Sequence, residues 1–266
     1  PPVNALTVAG WFEVAELLDR ASADEAVRAV VLRAEGRGFN AGVDIKEMQA
    51  TEGYDALIGA NRGCYAAFAS VYDCAVPVIA AVNGFCLGGG IGLVGNADII
   101  IAAEDATFGL PEVDRGALGA ATHLARLVPQ HKMRAMVYTS ATATAAELHH
   151  FGSVLQVVPQ AELRDAAFAV ARGIAEKSPR VIRAAKESLN GIDPVDVKRF
   201  VPLVNGGVFQ MVAGYQAGGD GESSFARAAT EPAATAELSV ALADPPQHTE
   251  PADGATKSWK SVSGRT

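Results

Sequence analysis

The ten residues Cys86–Gly95, CLGGGIGLVG, place three glycines in a row and a fourth at Gly92, after a buried, strand-like run AVPVIAAV that ends at Val82. Gly90, Gly92 and Gly95 spell G-x-G-x-x-G, but a dinucleotide fingerprint sits directly at the strand-to-helix turn, and here NGFCL intervenes. That context argues against a nicotinamide or flavin fold. The alternative is a helix that begins near Gly88, whose first N–H groups lack intrahelical partners and whose positive dipole end can hold a developing oxyanion. Glycine at such a place lets a substrate carbonyl come close to the backbone. A second glycine-bearing loop, FNAGVD, follows the strand-like RAVVLRA (Arg28 to Ala34) and can present another N–H to the same hole. From spacing alone, both loops can equally be tight turns that pack helix on strand.

The same alternation runs outward from this stretch. Trp11, Val14, Leu17, Leu18 and Ala21 recur at helical spacing ahead of the strand at Arg28 to Ala34. PPVNALT reads as the exit of a strand that nothing precedes, so a truncated start is expected. A helix is expected around Tyr54 to Tyr72, a buried strand at DIIIAA (Asp98 to Ala103), and helical spacing from Gly119 through Ala141. Thr144 can cap a short helix that Gly152 closes, SVLQVV reads as a strand, and Ser178 with Pro179 forms a cap and first-turn pair before RVIRAAKESLN. Helix alternating with strand indicates an α/β architecture. Beyond about Phe200 the chain turns rich in Gly, Ala, Pro, Thr and acid, as in DPPQHTEPADGATKS. Such sequence buries too little apolar area to offset its ordering entropy.

The 266 residues hold 22 basic against 30 acidic side chains, a net charge of −8. No basic run offsets that balance, which argues against a nucleic-acid surface and for small-molecule chemistry. Cys64, Cys74 and Cys86 are odd in number and lack metal-type spacing, so buried thiols in a reduced, cytoplasmic protein are expected, with no metal. No charged leader opens the chain and no apolar run approaches the ~20 residues of a membrane span. His131, His149 and His150 read as helix-surface residues. Glu112 follows Pro111 among apolar Phe108, Leu110 and Val113, surroundings that raise a carboxyl toward a useful general base. It can also be a plain loop acid. His123 can point into the same pocket or stand on a helix face.

GFNAGVDIKEM, PVIAAVNGFCLGGGIGL, FGLPEV and RAAKESLN, in that order and at that spacing, resemble the enoyl-CoA hydratase/isomerase (crotonase) superfamily over residues 1–190. The resemblance implies an α/β fold with a crotonase-like ββα spiral core at 1–190. A C-terminal helical remnant at 191–217 and an atypical, disordered tail at 218–266 are expected to follow. It implies oxyanion-hole donors at Val43 and Gly89, and CoA contacts along Ala41, Asp44 and Ile45, where Asp44 alternatively caps the loop or the next helix. It also implies an acyl pocket shaped by Leu57, Tyr65, Phe68 and Gly92. Ile58 lies on the same helix, and all the large side chains among these are equally ordinary core residues.

Hydratases of that family carry one glutamate three residues after the middle glycine and a second in F-G-x-P-E. Here the first place is Gly92 and the second is Glu112. The further acid used by some relatives falls at Ala120. One base remains where the hydratase mechanism uses two, which favours a single-base reaction: hydrolytic opening of a ring ketone, with the thioester enolate held by Val43 and Gly89. The wording is closest to actinobacterial members that open a steroid-derived CoA thioester ring. A hydratase or double-bond isomerase in which Glu112 shuttles a proton alone stays open, as does a non-catalytic acyl-CoA binder, and His123 is a candidate base in place of Glu112. Coenzyme A enters as part of the substrate, no separate cofactor is expected, and a homo-trimer or hexamer is implied.

Overall fold

The computed structural model describes residues 3–51, 53–117, 119–192 and 238–242. The chain opens with α1 (Val8–Ala23), whose first turn is capped by Thr7, the Oγ1 accepting from the Gly10 N–H at 3.1 Å. Then follow β1 (Val30–Ala34), α2 (Ile45–Ala50), α3 (Asp55–Tyr72), β2 (Val78–Val82), β3 (Phe85–Leu87), α4 (Gly89–Asn96), β4 (Ile99–Ala103) and β5 (Thr107–Gly109). A 3-10 turn at Pro111–Arg115 leads to α5 (Ala121–Leu124), α6 (Gln130–Thr139), β6 (Thr142–Thr144), α7 (Ala145–His150), β7 (Gln156–Val158), α8 (Leu163–Ala175) and α9 (Pro179–Gly191). The last described element is β8 (Leu238–Leu242).

The strands form a five-stranded sheet in the order β7-β4-β2-β1-β8 and a three-stranded sheet in the order β3-β5-β6. β7, β4, β2 and β1 are mutually parallel, with Val30 opposite Val78 and Ile79 opposite Ile99. Their near-continuous apolar sequences are those of strands covered on both faces. Alternate residues serve different cores. Val30, Leu32, Val78, Ala80, Val82 and Ala102 join α1, α3 and α4 in the larger core, while Val31, Ile79, Ala81 and Ile101 pack beneath Ala167, Phe168 and Ala171 of α8. α9 is fastened to the end of α3 and the start of β4 by reciprocal bonds between Tyr72 and Asn190 at 2.9 and 2.8 Å, and by Lys186, buried and paired with Asp98 at 2.5 Å. Among the described residues, no helix is long and apolar enough to cross a membrane, and no cluster of His, Cys, Asp and Glu could hold a metal.

The structure departs from the sequence expectations in four places. The helical stretch from Gly119 to Ala141 is two helices, α5 and α6, separated at Pro129, which has no N–H to continue a helix. Ser178 occupies the N-cap of α9 but makes no side-chain cap hydrogen bond. The three-residue strands β3, β5 and β6 are too short to show a periodicity. Of the tail expected to be disordered from residue 218, the described part, β8, is instead a strand antiparallel to β1, pairing Val31 with Ala241. Leu238, Val240 and Leu242 alternate with Ser239 and Ala241, a strand period, and the edge of β1 offers the backbone partners. The helical remnant expected at 191–217 lies, past Ile192, outside the described residues.

Candidate active site

Two loops leave adjacent parallel strands and meet. The first runs from β1 through Phe39–Gly42 to α2, and the second from β2 through β3 to α4. Asn40, buried to 1% exposure, ties them together. Its carbonyl accepts from the Leu87 N–H at 2.8 Å, its Oδ1 accepts from the Gly42 N–H at 2.8 Å, and its Nδ2 donates to the Asn4 carbonyl at 2.6 Å. Asn4, itself with φ of 51°, donates back to the carbonyls of Glu35 and Gly38, each at 2.8 Å.

Glycine is required where the loops touch. Gly42 (φ +89°) and Gly88 (φ +58°) lie in the left-handed region, and a Cβ on Gly42 would stand 3.1 Å from the Gly89 nitrogen. A Cβ on Gly89 would stand 3.3 Å from the Gly42 Cα. Gly42 therefore packs directly against Gly88 and Gly89. Around Val43 the backbone pairs with Leu6: the Leu6 N–H donates to Gly42 O and the Asp44 N–H to Leu6 O, both at 2.9 Å. Successive amides point to opposite sides, so the Val43 N–H is directed away from that pairing. Gly89 is the first residue of α4, behind its N-cap Gly88, where N–H groups have no partner within the helix.

Glu112 stands on the 3-10 turn, which Gly116 closes in the left-handed conformation. Its carboxylate lies against Gly88 and Gly119: a Cβ on Gly88 would meet Oε1 at 2.8 Å, and one on Gly119 would meet Oε2 at 2.6 Å. The residue is half-buried, but Oε2 is enclosed and makes no hydrogen bond among the described residues. Burial raises its pKa from 4.5 to about 7, against a smaller lowering by its own backbone N–H. Burial, with the charge of Glu112 second, pushes the Cys64 thiol far up and keeps it inert.

Position 92 is filled by a neighbour. The ring of Phe68 from α3 lies against Gly92 and is edge-on to Trp11, with centroids 5.7 Å apart, and to His123, 5.0 Å apart. Trp11 in turn packs its six-membered ring on Gly89. His123 is fully buried, its backbone against Gly95, and its pKa is lowered to about 4 by burial and then by the charge of Arg126. The imidazole is thus neutral at pH 7 and meets the Phe68 ring edge-on. Leu57 is buried in α3, and Tyr65 is half-buried. Ala41, Val43, Asp44 and Ile45 are partly exposed at the lip of the first loop, and Asp44 caps α2, its Oδ1 accepting from the Lys46 N–H at 2.9 Å. Ala120 is buried beside Gly119.

The cluster thus gathers Val43, Gly89, Glu112, Phe68 and Gly92, and leaves His131, His149 and His150 elsewhere on α6 and α7. Sequence reasoning missed Asn4, Asn40 and the packing of Trp11 on Gly89. An asparagine directly before Ala-Gly was the available signal for Asn40, since its short amide can fold back on a tight loop. A separate cleft of 130 Å³ at the ends of β1 and β2, lined by Arg33, Glu35, Asn83, Gln160 and Arg164 among others, shares no residue with the cluster.

Comparison with known proteins places these features in context. A profile described as Enoyl-CoA hydratase/isomerase matches residues 1–195. The chain is 66% identical over 211 residues, 79% of its own length and 82% of the relative's, to the (7aS)-7a-methyl-1,5-dioxo-2,3,5,6,7,7a-hexahydro-1H-indene-carboxyl-CoA hydrolase of Rhodococcus jostii. It is 65% identical, over 79% of its length and 85% of the relative's, to the protein of the same name from Mycobacterium tuberculosis. Among solved structures it is similar to the enoyl-CoA hydratase of Bacillus anthracis, with a TM-score of 0.68, 29% identity, and coverage of 81% of this chain and 82% of that one.

Proposed function

The chain belongs to the enoyl-CoA hydratase/isomerase (crotonase) family, and within it we propose that the protein hydrolyses a carbon–carbon bond of a bicyclic keto acyl-CoA of the class named in its two nearly two-thirds identical relatives. The observation that carries this reading is the single carboxylate: Glu112 lies against Gly88, while position 92 offers no acid.

The chemistry of that substrate class suits one base. In a skeleton so named, only C3a and C4 of the bicycle remain joined by a double bond, conjugated to the C5 ketone, and the C1 ketone is attached to the quaternary C7a. Glu112 takes a proton from water as its oxygen adds to C1. The C1–C7a bond then breaks, C1 becomes a carboxylic acid, and the electron pair passes from C7a through the alkene to C4, which in this reading carries the thioester. The thioester oxygen receives that charge between the amides of Val43 and Gly89. Glu112 returns its proton to carbon, so water is consumed and the CoA thioester is kept. One group serves as base and then acid, as its pKa of about 7 permits.

Ala41, Asp44 and Ile45, at the lip of the first loop, are the CoA contacts in this reading, and Leu57, Tyr65 and Phe68 wall the acyl group. A cytoplasmic site of action accords with three free, buried cysteines. A trimer, or a dimer of trimers, completes the proposal.

The test is product analysis by mass. With a bicyclic keto acyl-CoA of that class, the product should gain one water, carry a new carboxylate and retain CoA. Release of free CoA would mark a thioesterase instead. Rapid hydration of crotonyl-CoA would favour the hydratase reading, and tight binding of both without turnover would favour a binder.

A further inference from the structure

Position 92 lies three residues after Gly89 on α4, so a side chain there would emerge on the face that bears the Gly89 amide. That space is occupied. A Cβ on Gly92 would stand 2.0 Å from Cζ, 2.3 Å from Cε2 and 2.4 Å from Cε1 of Phe68, against the ~3.5 to 4.0 Å at which carbon atoms normally rest. Even an alanine would have to displace the ring. The ring is held among other side chains: Phe68 is 3% exposed and lies edge-on to Trp11 and His123, so yielding to a new Cβ would disturb that packing.

A glycine alone would leave a notch, and a notch beside polar groups fills with water. Here hydrocarbon fills it. We propose that Phe68 is the specificity-determining residue of this site, its ring excluding both a carboxylate at position 92 and the water that such a carboxylate would hold. Water then reaches the acyl group only from the side of Glu112, which suppresses hydration of a conjugated alkene and leaves attack on a ring ketone. This deepens the hydrolase reading and rests on it for the identity of the favoured reaction. The steric coupling between residues 68 and 92 stands apart from any reaction.

The experiment has two arms. The first is thermal melting of Gly92→Ala, Phe68→Ala and the double variant. Alanine is a better helix former than glycine, so without a clash Gly92→Ala would raise the melting temperature. It is expected to lower it in the wild-type background and to recover in the Phe68→Ala background. A Gly92→Ala protein that melts at or above wild type overturns the proposal. The second arm follows crotonyl-CoA hydration in Gly92→Glu, Phe68→Ala and Phe68→Ala/Gly92→Glu, with Phe68→Ala/Gly92→Gln as the non-ionisable control. The Ala/Glu double variant should exceed each single variant and the Gln control by about 100-fold, the contribution of a positioned acid–base group. If Gly92→Glu alone hydrates as fast as the double, or if a folded, CoA-binding double variant is no faster than wild type, Phe68 does not set the specificity. Loss of ring opening in the wild-type protein would sink the hydrolase reading without touching either arm.

Discussion

Replacing Glu112 with glutamine separates catalysis from stability in a way that the burial of this carboxyl makes quantitative. With a pKa raised from 4.5 to about 7, the group is about one-tenth ionised at pH 6 and about nine-tenths at pH 8. Wild-type kcat/KM should therefore rise about tenfold per pH unit below 7 and level off above 8. Glutamine keeps the shape but cannot accept a proton, so kcat should fall by about 100- to 10,000-fold at the plateau, with CoA affinity little changed. Stability should move the other way. A carboxyl whose folded pKa is raised contributes its full stability below about pH 4.5 and loses it as pH climbs through about 7, because the folded state then holds a charge that it solvates poorly. From 4.5 to about 7, that loss is at most about 3 kcal/mol. Glu112→Gln does not titrate, so it should match wild type near pH 5 and exceed it at pH 8 in urea denaturation. The reasoning fails if the pH–rate profile is flat from 5.5 to 8, if the glutamine variant keeps its turnover, or if the stability difference is the same at both pH values.

Val43→Pro removes one N–H from the two-loop hole, and turnover should drop by about 100- to 1,000-fold with the circular dichroism spectrum preserved; near-normal rates in a folded variant would show that another donor holds the oxygen. Asn40→Ala strands the Gly42 N–H and the Asn4 carbonyl in the interior. It should cost about 1 to 3 kcal/mol in chemical denaturation and lower kcat as the loops separate. In hydrogen exchange, amides of residues 238–242 should be protected along with those of β1, since the two strands share a ladder; exchange at free-peptide rates there would remove β8 from the sheet.

The long apolar strands and the helix over Asp55–Tyr72 were legible because burial on both faces, or on one stripe, writes itself into the sequence over many residues. That the glycine triplet opens a helix outside any dinucleotide pattern was legible from the residues before it: NGFCL breaks that pattern, and it proves to contain β3, which lifts α4 away from the end of β2. The packing of Phe68 into Gly92 was not legible. Those residues are 24 positions apart on different helices, and nothing local records that one supplies the volume the other lacks. Asn4 and Asn40 were hidden for a similar reason, since each works by bonding backbone atoms that only the fold brings near. The edge strand at Leu238–Leu242 was overlooked because five residues of strand period lie inside a long stretch of turn-forming composition.

The central sheet divides the protein into two interiors with different tasks. The side beneath α1, α3 and α4 packs against the proposed site, and the side beneath α8 contributes none of its residues. For inherited variation, this means that one chain carries two kinds of defect. A change under α8 alters how many molecules survive quality control, and each survivor works normally. A change under α4 alters what every molecule does, however many there are. A cell could compensate for the first by making more protein, and for the second it could not.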